Sequence, residues 1–334
     1  MRDTDLQFGL IGWGYWGPKM ARNLESLPHA SVSMVADMDT FRLADAARNL
    51  PYAQTVAQAE EVFTSDVDAV VIATPVRSHY HLAKEALLHG KHVLVEKPLT
   101  ANVAEAEELV ELARKMQRVL MVGHTFEYNP AVNELRKLVQ SGELGKIYCI
   151  ETERVNLGIF RSDINVIWDL APHDISILLY LFGKMPEEAT VQAHAYVQPH
   201  IADVAHVNLK FAENMMAHLH VSWLHPCKIR KVTVIGDARM VVYDDTKPAE
   251  MITIYNKGAD VHADPGISYR NGEIIIPYIG WVEPLRLECE DFAHAIRTNT
   301  SPRASGEAGL AVVRVLASIQ EALDRQQQVA SISV

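Results

Sequence analysis

An acid and a histidine stand four residues apart near the middle of the chain. Asp169 and His173 lie where a helix is expected to begin, near Leu170, and residues four apart share one face of a helix. A carboxylate in that position can orient an imidazole that accepts a proton. Pro172 is compatible with this arrangement only in the first turn. The spacing also fits a helix N-cap at Asp169 and an interior histidine at His173, so the pair alone leaves both interpretations open.

A lysine forms the second candidate for chemistry. Lys97 lies in Glu96-Lys97-Pro98, directly after an apolar strand at 92–95. In a parallel sheet this position faces the edge where ligands bind. A lysine there can hydrogen-bond a substrate hydroxyl and stabilise the negative charge that develops on its oxygen. Taken alone, the motif also fits a surface lysine beside a glutamate.

The third candidate is a glycine-rich turn between an apolar run at 8–11 and a helix predicted for 18–27. The spacing Gly-x-Gly-x-x-Gly between a strand and a helix is typical of a dinucleotide site, with the phosphates at the helix N-terminus. A second apolar run ends at Asp37, where an acid accepts hydrogen bonds from the adenosine ribose. An ordinary glycine turn with a surface aspartate is the alternative. The residues predicted to hold NAD here are Gly12, Trp13, Gly14, Tyr15, Trp16, Gly17 and Asp37.

The residues after the second strand favour NAD over NADP. Asp39 follows Asp37 closely, and no lysine or arginine comes directly after the strand. A 2′-phosphate would therefore meet carboxylate repulsion. Arg42 is the one nearby cation in the sequence that would act in the opposite direction.

Composition and charge restrict the class of protein. The chain has 334 residues, 49% of them hydrophobic and 22% charged, which predicts a globular protein with two domains. A net charge of −11 argues against a nucleic-acid partner. No apolar run is long enough to cross a membrane, no signal segment is evident, and Cys149, Cys227 and Cys289 are isolated, which predicts a cytoplasmic location. His218 and His220 form the best metal-binding pair but lack an evident third ligand, so no metal is predicted.

The order of the elements predicts an α/β fold in two parts. Strands alternate with helices as far as residue 123, which is typical of a doubly wound parallel sheet, a Rossmann domain at 1–123. Strands with short links then follow between 188 and 243, with helices at 285–297 and 306–326. This pattern predicts an α+β domain at 124–334, with a mainly antiparallel sheet that is open on one face. The strands expected in the first domain are 6–11, 31–37, 53–55, 69–74, 92–95 and 118–123.

Taken together, the three motifs resemble the Gfo/Idh/MocA superfamily of oxidoreductases. Further matching segments are Thr74-Pro75-x-x-x-His79, residues 90–98, and Gly142-x-x-Gly145. The resemblance implies that Lys97 is the active-site lysine, His173 the catalytic histidine, and Asp169 the acid one turn before it. Ala171 stands where many members have glycine, a change of one methyl group. The edge residues implied to contact the cofactor are Thr74, Pro75, His79, Glu96 and Lys97.

Shorter segments resemble dehydrogenases of nucleotide-sugar pathways that oxidise the sugar 3-hydroxyl before transamination. They are Arg154-Val-Asn156-Leu-Gly158, residues 168–174, Ser222-Trp223 and Glu283-Pro284-Leu285. This resemblance implies oxidation at carbon 3 of a nucleotide sugar such as UDP-N-acetylglucosamine or its uronate. Arginines suit a diphosphate because they bind it through two hydrogen bonds. The residues predicted to contact substrate are Lys97, Arg154, Asn156, Arg161, Asp169 and His173.

Three other functions remain open from the sequence. The chain also fits a dehydrogenase of free sugars or inositol, and a dinucleotide-binding sensor that has lost turnover. The same fold can also support redox-neutral chemistry, in which a retained cofactor oxidises and then re-reduces one substrate. The open sheet face and the family resemblance favour a homo-oligomer, either a dimer or a tetramer.

Overall fold

The apolar runs of the first third form a six-stranded parallel sheet in the computed structural model, which describes residues 5–261 and 266–330. Its strands are β1 (Leu6–Ile11), β2 (Ala30–Ala36), β3 (Gln54–Val56), β4 (Ala69–Ile72), β5 (His92–Glu96) and β6 (Leu120–Gly123). They lie in the order β3-β2-β1-β4-β5-β6. Successive strands are therefore added on one side of β1 up to β3 and on its other side from β4 onwards, and such a switch point in strand order is where doubly wound sheets bind ligands. The predicted Rossmann architecture is confirmed.

Helices connect these strands, and their boundaries follow the capping residues. They are α1 (Gly17–Glu25), α2 (Thr40–Asn49), α3 (Ala59–Phe63), α4 (Val76–Leu88) and α5 (Val103–Met116). The side chains of Asp39 and Asn102 cap α2 and α5 by accepting backbone N–H groups, as their positions predict. α4 begins at Val76, two residues before Ser78, and no side chain caps its start. The Ser78 hydroxyl instead donates within the first turn, to the carbonyl of Pro75.

A helix from late in the chain completes the first unit. The chain forms two compact units, one combining residues up to Tyr128 with Val282–Val313, the other Asn129–Trp281 with the residues from Arg314 onwards. Residues 282–313, expected in the second domain, therefore belong to the first. The physical reason is the apolar face of α8 (Pro284–Thr298), whose Phe292 packs 6.0 Å from the Phe8 ring in the core of the parallel sheet.

The second unit is built on an eight-stranded sheet. Its strands are β7 (Ile147–Val155), β8 (Glu188–His194), β9 (Val204–Lys210), β10 (Met216–Ser222), β11 (Ile229–Gly236), β12 (Met240–Asp244), β13 (Ile252–Val261) and β14 (Ile267–Ile275). β8, β9 and β10 pair antiparallel in succession, and so do β11 and β12, as predicted. β13 and β14 extend the sheet beyond β12, again antiparallel. β7 inserts between β10 and β11 and runs parallel to β10. β13 and β14 were not expected, because β14 is largely exposed and has no alternating apolar pattern.

The two faces of this sheet differ in character. Along β10, the side chains of Ala217, Leu219 and Val221 are buried, and they point to the face covered by α7 (Val166–Phe182). The opposite face is polar and includes His218 and His220. The predicted open face is therefore present. Two further helices are α6 (Pro130–Gln140), in this unit, and α9 (Gly306–Ala330), which starts in the first unit and ends in the second.

Replacing Gly17 with alanine is predicted to destabilise the first unit, whereas the same change at Gly14 is not. A Cβ atom at Gly17 would lie 2.2 Å from the carbonyl oxygen of Gly12, so α1 would have to move away from the turn. At Gly14 the nearest atom is a guanidinium nitrogen of Arg42, at 3.9 Å. We expect Gly17→Ala to lower the free energy of unfolding by about 1–3 kcal/mol, measured by urea denaturation. Equal stability of the two variants would contradict this account.

Candidate active site

The glycine turn is held open and anchored to its neighbours. Gly12 has a φ of +98°, which glycine adopts without strain. The backbone N–H of Trp13 donates to Oδ2 of Asp37 at 2.7 Å, and its indole donates to Asp45 at 2.9 Å. No side chain caps the start of α1, and the space beside Gly14 is open. Uncapped N–H groups and an open backbone are what a pyrophosphate requires, so the turn fits a dinucleotide.

Asp37 is positioned before any ligand arrives. Its side chain is only 8% exposed, and Oδ1 accepts the N–H of Asp39 at 2.9 Å. Arg42 lies beside both acids, with N···O distances of 3.8 Å to Asp37 and 3.7 Å to Asp39. Tyr15 and Trp16 flank the turn, Tyr15 exposed and Trp16 half-buried. Lys19 lies over the Tyr15 ring at 3.1 Å and adds a cation near the turn that the sequence analysis did not select.

The loops after β4 and β5 are joined by a buried histidine. The ring of His79 lies 2.8 Å from the carbonyl oxygen of Thr74 through Nε2 and 2.8 Å from that of Pro98 through Nδ1. Its exposed fraction is 1%, so the His79 ring supports these loops from the interior, and its cofactor contact stays a prediction. Thr74 and Pro75 remain accessible at the sheet edge, and Lys97 is half-buried there.

Burial favours the neutral forms of the ionisable groups around Lys97. Burial raises the pKa of Glu96 to about 7, although the Lys97 ammonium opposes the shift. Burial and the neighbouring Glu96 raise the pKa of Glu288 well above its ordinary value. Burial lowers the pKa of His124 to about 3, and the Lys97 charge acts in the same direction. The Glu96 side chain is buried, and its cofactor contact stays a prediction. No sequence motif singled out Glu288 or His124.

The helix carrying Asp169 and His173 begins earlier than expected. Asn165 is its N-cap, and its side chain accepts the N–H groups of Ile167 and Trp168. Asp169 is therefore inside the first turn of α7, not its cap, and Pro172 lies inside the helix. The expected start near Leu170 was wrong because Asn165 supplies the stronger start signal. Asp169 and His173 do lie one turn apart on one helix, and His173 is half-buried.

Two donors hold the carboxylate of Asp169. The buried indole of Trp223 donates to Oδ2 at 3.0 Å, and Nε of Arg161 lies 3.2 Å from Oδ1. The Asp169 side chain is 15% exposed and that of Arg161 is 48% exposed. In the sequence, Trp223 belongs to the Ser222-Trp223 motif, which does not predict its role as a donor to Asp169, because the two residues are far apart in the chain.

A buried ion pair attaches α7 to the sheet. Nε and Nη2 of Arg154 donate to the two carboxylate oxygens of Asp174 at 3.0 and 2.9 Å. The side chains are 6% and 1% exposed. Arg154 is therefore a support for α7 and is poorly placed for its predicted substrate contact. Asn156 is half-buried at the end of β7, where its backbone N–H donates to Ser222 at 3.1 Å.

His218 and His220, the best metal-binding pair in the sequence, lie within the residues that the structure describes, 5–261 and 266–330. No group of three or more His, Cys, Asp or Glu side chains in these ranges is arranged to hold a metal ion. His218 pairs with Asn208 at 2.6 Å, and His220 lies 3.6 Å from a carboxylate oxygen of Glu153. Within the same ranges, no helix has both the length and the apolar content needed to cross a bilayer.

Comparison with known proteins identifies the family. The family model described as "Oxidoreductase family, NAD-binding Rossmann fold" matches residues 6–124, and the GFO/IDH/MocA C-terminal domain matches residues 132–242. The chain belongs to the GFO/IDH/MocA oxidoreductase family. It is thus an enzyme of a class that acts on sugar or polyol hydroxyls, with a Rossmann domain for a nicotinamide dinucleotide.

Individual relatives in this family differ in substrate. UDP-N-acetylglucosamine 3-dehydrogenase of Acidithiobacillus ferrooxidans is 29% identical over 96% of this chain and 97% of its own length. A solved structure of that enzyme has a TM-score of 0.81 at 28% identity and covers 95% of this chain and 97% of the other. Inositol 2-dehydrogenase of Corynebacterium glutamicum strain R is 31% identical over 61% of each chain.

Removing the Arg154 guanidinium is predicted to destabilise the second unit. Arg154→Ala leaves the Asp174 carboxylate buried without its cation, which costs about 3–5 kcal/mol in the free energy of unfolding. Arg239→Ala is the matched control, because Arg239 forms a partly exposed pair with Glu143 at 3.2 Å and should cost at most about 1 kcal/mol. Urea denaturation measures both. Similar losses in the two variants would contradict a supporting role for Arg154.

Proposed function

We propose that this enzyme is an NAD-dependent dehydrogenase that oxidises a sugar hydroxyl to a ketone, at carbon 3 of a nucleotide sugar such as UDP-N-acetylglucosamine or its uronate. The observation that carries the proposal is α7, on which Asp169, held by two donors, stands one turn before the half-buried His173. Lys97, at the ligand edge of the parallel sheet, supplies the second polar group. The nucleotide-sugar relative, which aligns over nearly the whole chain, supports the substrate class.

The proposed reaction divides the work among three side chains. A bound NAD supplies the hydride acceptor, and the sugar carbon loses its C–H hydride as the C=O bond forms. His173 accepts the hydroxyl proton, and Asp169 stabilises the resulting imidazolium. Lys97 donates a hydrogen bond to the same oxygen and stabilises its developing negative charge. Lys97 as the base, with His173 as the donor, is the alternative assignment.

Lys97→Ala and His173→Ala should each abolish most of the turnover while leaving the fold and NAD binding intact. Loss of a general acid or base typically lowers the rate by roughly 100- to 10,000-fold. Turnover is followed as NADH formation, and NAD binding is measured by calorimetry. The pH–rate profiles of Lys97→Met and His173→Asn identify the base, since its loss removes the acidic limb. Wild-type turnover in either alanine variant refutes the assignment of that residue.

NAD is predicted to bind more tightly than NADP. The carboxylate of Asp37 is fixed at the end of β2, and Arg42 is shared between it and Asp39, so the local charge is negative overall. A 2′-phosphate is repelled there, whereas a ribose hydroxyl can donate to Asp37. Fluorescence titration with both cofactors measures the preference. Equal or tighter binding of NADP would overturn the prediction.

A substrate panel tests the function as a whole. UDP-N-acetylglucosamine and its uronate are compared with N-acetylglucosamine, glucose and myo-inositol, with both NADH formation and product mass followed. We expect the highest kcat/KM with a nucleotide sugar and a product two mass units lighter. A higher kcat/KM with a free sugar or inositol refutes the nucleotide-sugar substrate but not the dehydrogenase. Product without net NADH indicates redox-neutral chemistry, and no turnover with any compound favours a sensor.

We also propose a cytoplasmic homo-oligomer, either a dimer or a tetramer. The polar open face of the second unit offers a surface for a second copy, with His206 and His220 stacked at 4.3 Å in its centre. Cys149, Cys227 and Cys289 are separate thiols, which suits a reducing compartment. A monomer mass from light scattering would contradict the assembly.

A further inference from the structure

Arg161 forms an ion pair with one of the two carboxylate oxygens of Asp169, the proposed catalytic acid. It lies between β7 and α7, and its Nε is 3.2 Å from Oδ1 of Asp169. The other oxygen accepts the Trp223 indole at 3.0 Å. The Asp169 carboxylate thus contacts a cation, Arg161, and a neutral donor, Trp223. Of these two groups, Arg161 is the one that changes the net charge beside the helix.

The two contacts differ in how firmly they are held. Trp223 is 1% exposed. Its backbone N–H donates to the carbonyl oxygen of Asp203 at 2.9 Å, and its backbone carbonyl accepts the N–H of Gly158 at 2.8 Å. Arg161 is 48% exposed on a connecting segment, and ion pairs of such residues exchange readily with solvent or with other anions. If Arg161 leaves, Trp223 still holds the Asp169 carboxylate in place.

Arg161 also suits the anionic part of a substrate. A guanidinium can bind a phosphate through two parallel hydrogen bonds, and the Arg161 guanidinium is accessible enough to do so. While Arg161 stays beside Asp169, it cancels part of the negative charge that His173 experiences one turn along the helix. The adjacent Asp174 is already balanced by Arg154, so a movement of Arg161 changes the charge around His173 directly.

We infer that Arg161 is a specificity-determining residue that couples recognition of a diphosphate-bearing substrate to the proton-accepting power of His173. With no anionic group present, Arg161 pairs with Asp169 and weakens the base. A diphosphate binds Arg161 and separates it from Asp169. The Asp169 carboxylate stays bound to the Trp223 indole, but no guanidinium then offsets its negative charge. His173 becomes a stronger proton acceptor as a result. The role in turnover rests on the proposed function, whereas the electrostatic coupling within α7 does not.

The coupling is tested first without turnover. Histidines are labelled with ¹³C at Cε1, His173 is assigned through His173→Asn, and its NMR titration midpoint is compared in wild type and Arg161→Gln. We expect the midpoint to rise by about half a pH unit or more in Arg161→Gln, because a nearby positive charge is lost. Adding UDP to the wild type should raise it similarly and should have little effect in the variant. Arg161→Lys keeps the charge and should resemble wild type, as should Arg239→Ala.

Kinetics then test the consequence for substrate choice. On free N-acetylglucosamine, Arg161→Gln should have a kcat about fivefold or more above wild type, and on UDP-N-acetylglucosamine it should have a higher KM. An unchanged His173 midpoint in Arg161→Gln, or a free-sugar kcat at or below that of wild type, overturns the inference. If nucleotide sugars are not oxidised but the midpoint shifts as expected, the proposed substrate fails and the coupling stands. If they are oxidised and the midpoint does not move, the coupling fails and the proposed function stands.

Discussion

The buried ion pair between Arg154 and Asp174 is the constraint on which the placement of α7 in the second unit depends. It joins the end of β7 to α7 by two hydrogen bonds in a region closed to water. Burying two charges is costly, and only close geometry with matched donors and acceptors offsets that cost. Because Asp174 directly follows His173, the pair also sets the rotation of α7 about its axis. The positions of Asp169 and His173 follow from that rotation.

Each unit separates the groups that act from the groups that support them. In the first unit, buried His79 and Glu96 hold the loops and backbone around the more accessible Lys97. In the second unit, buried Trp223 holds the Asp169 carboxylate, and buried Arg154 holds α7 through Asp174. A reacting group needs access to substrate, yet its geometry must be held to a fraction of an ångström. Supports taken from the interior, whose rotamers are fixed by packing, meet both needs.

Charge is arranged differently around the two proposed acid–base groups. Near Lys97, burial raises the pKa of the Glu96 and Glu288 carboxyls and lowers that of His124, so the lysine lies over an interior of low charge. A lysine in such surroundings keeps its attraction for an oxygen that becomes negative during reaction. Near His173, charged groups are retained and paired. The surroundings of the proposed lysine are thus mainly uncharged, whereas those of the proposed base contain ion pairs.

The sequence by itself determined the local elements and the family of this protein. The glycine turn, Asp37 after β2, Lys97 after β5, and Asp169 four residues before His173 are spacings along the chain, and backbone geometry converts such spacings into position. Apolar runs and caps likewise located most strands and helices. Only the tertiary structure decided that Arg154 is buried whereas Arg161 is accessible, and that the His79 ring supports two loops. It alone also decided that Trp223 donates to Asp169 and that residues 282–313 belong to the first unit. These depend on contacts between residues that are distant in the chain, such as Arg154 with Asp174, 20 positions apart, and Phe8 with Phe292, 284 positions apart. Local periodicity carries no information about such contacts, because they are selected by how whole elements pack.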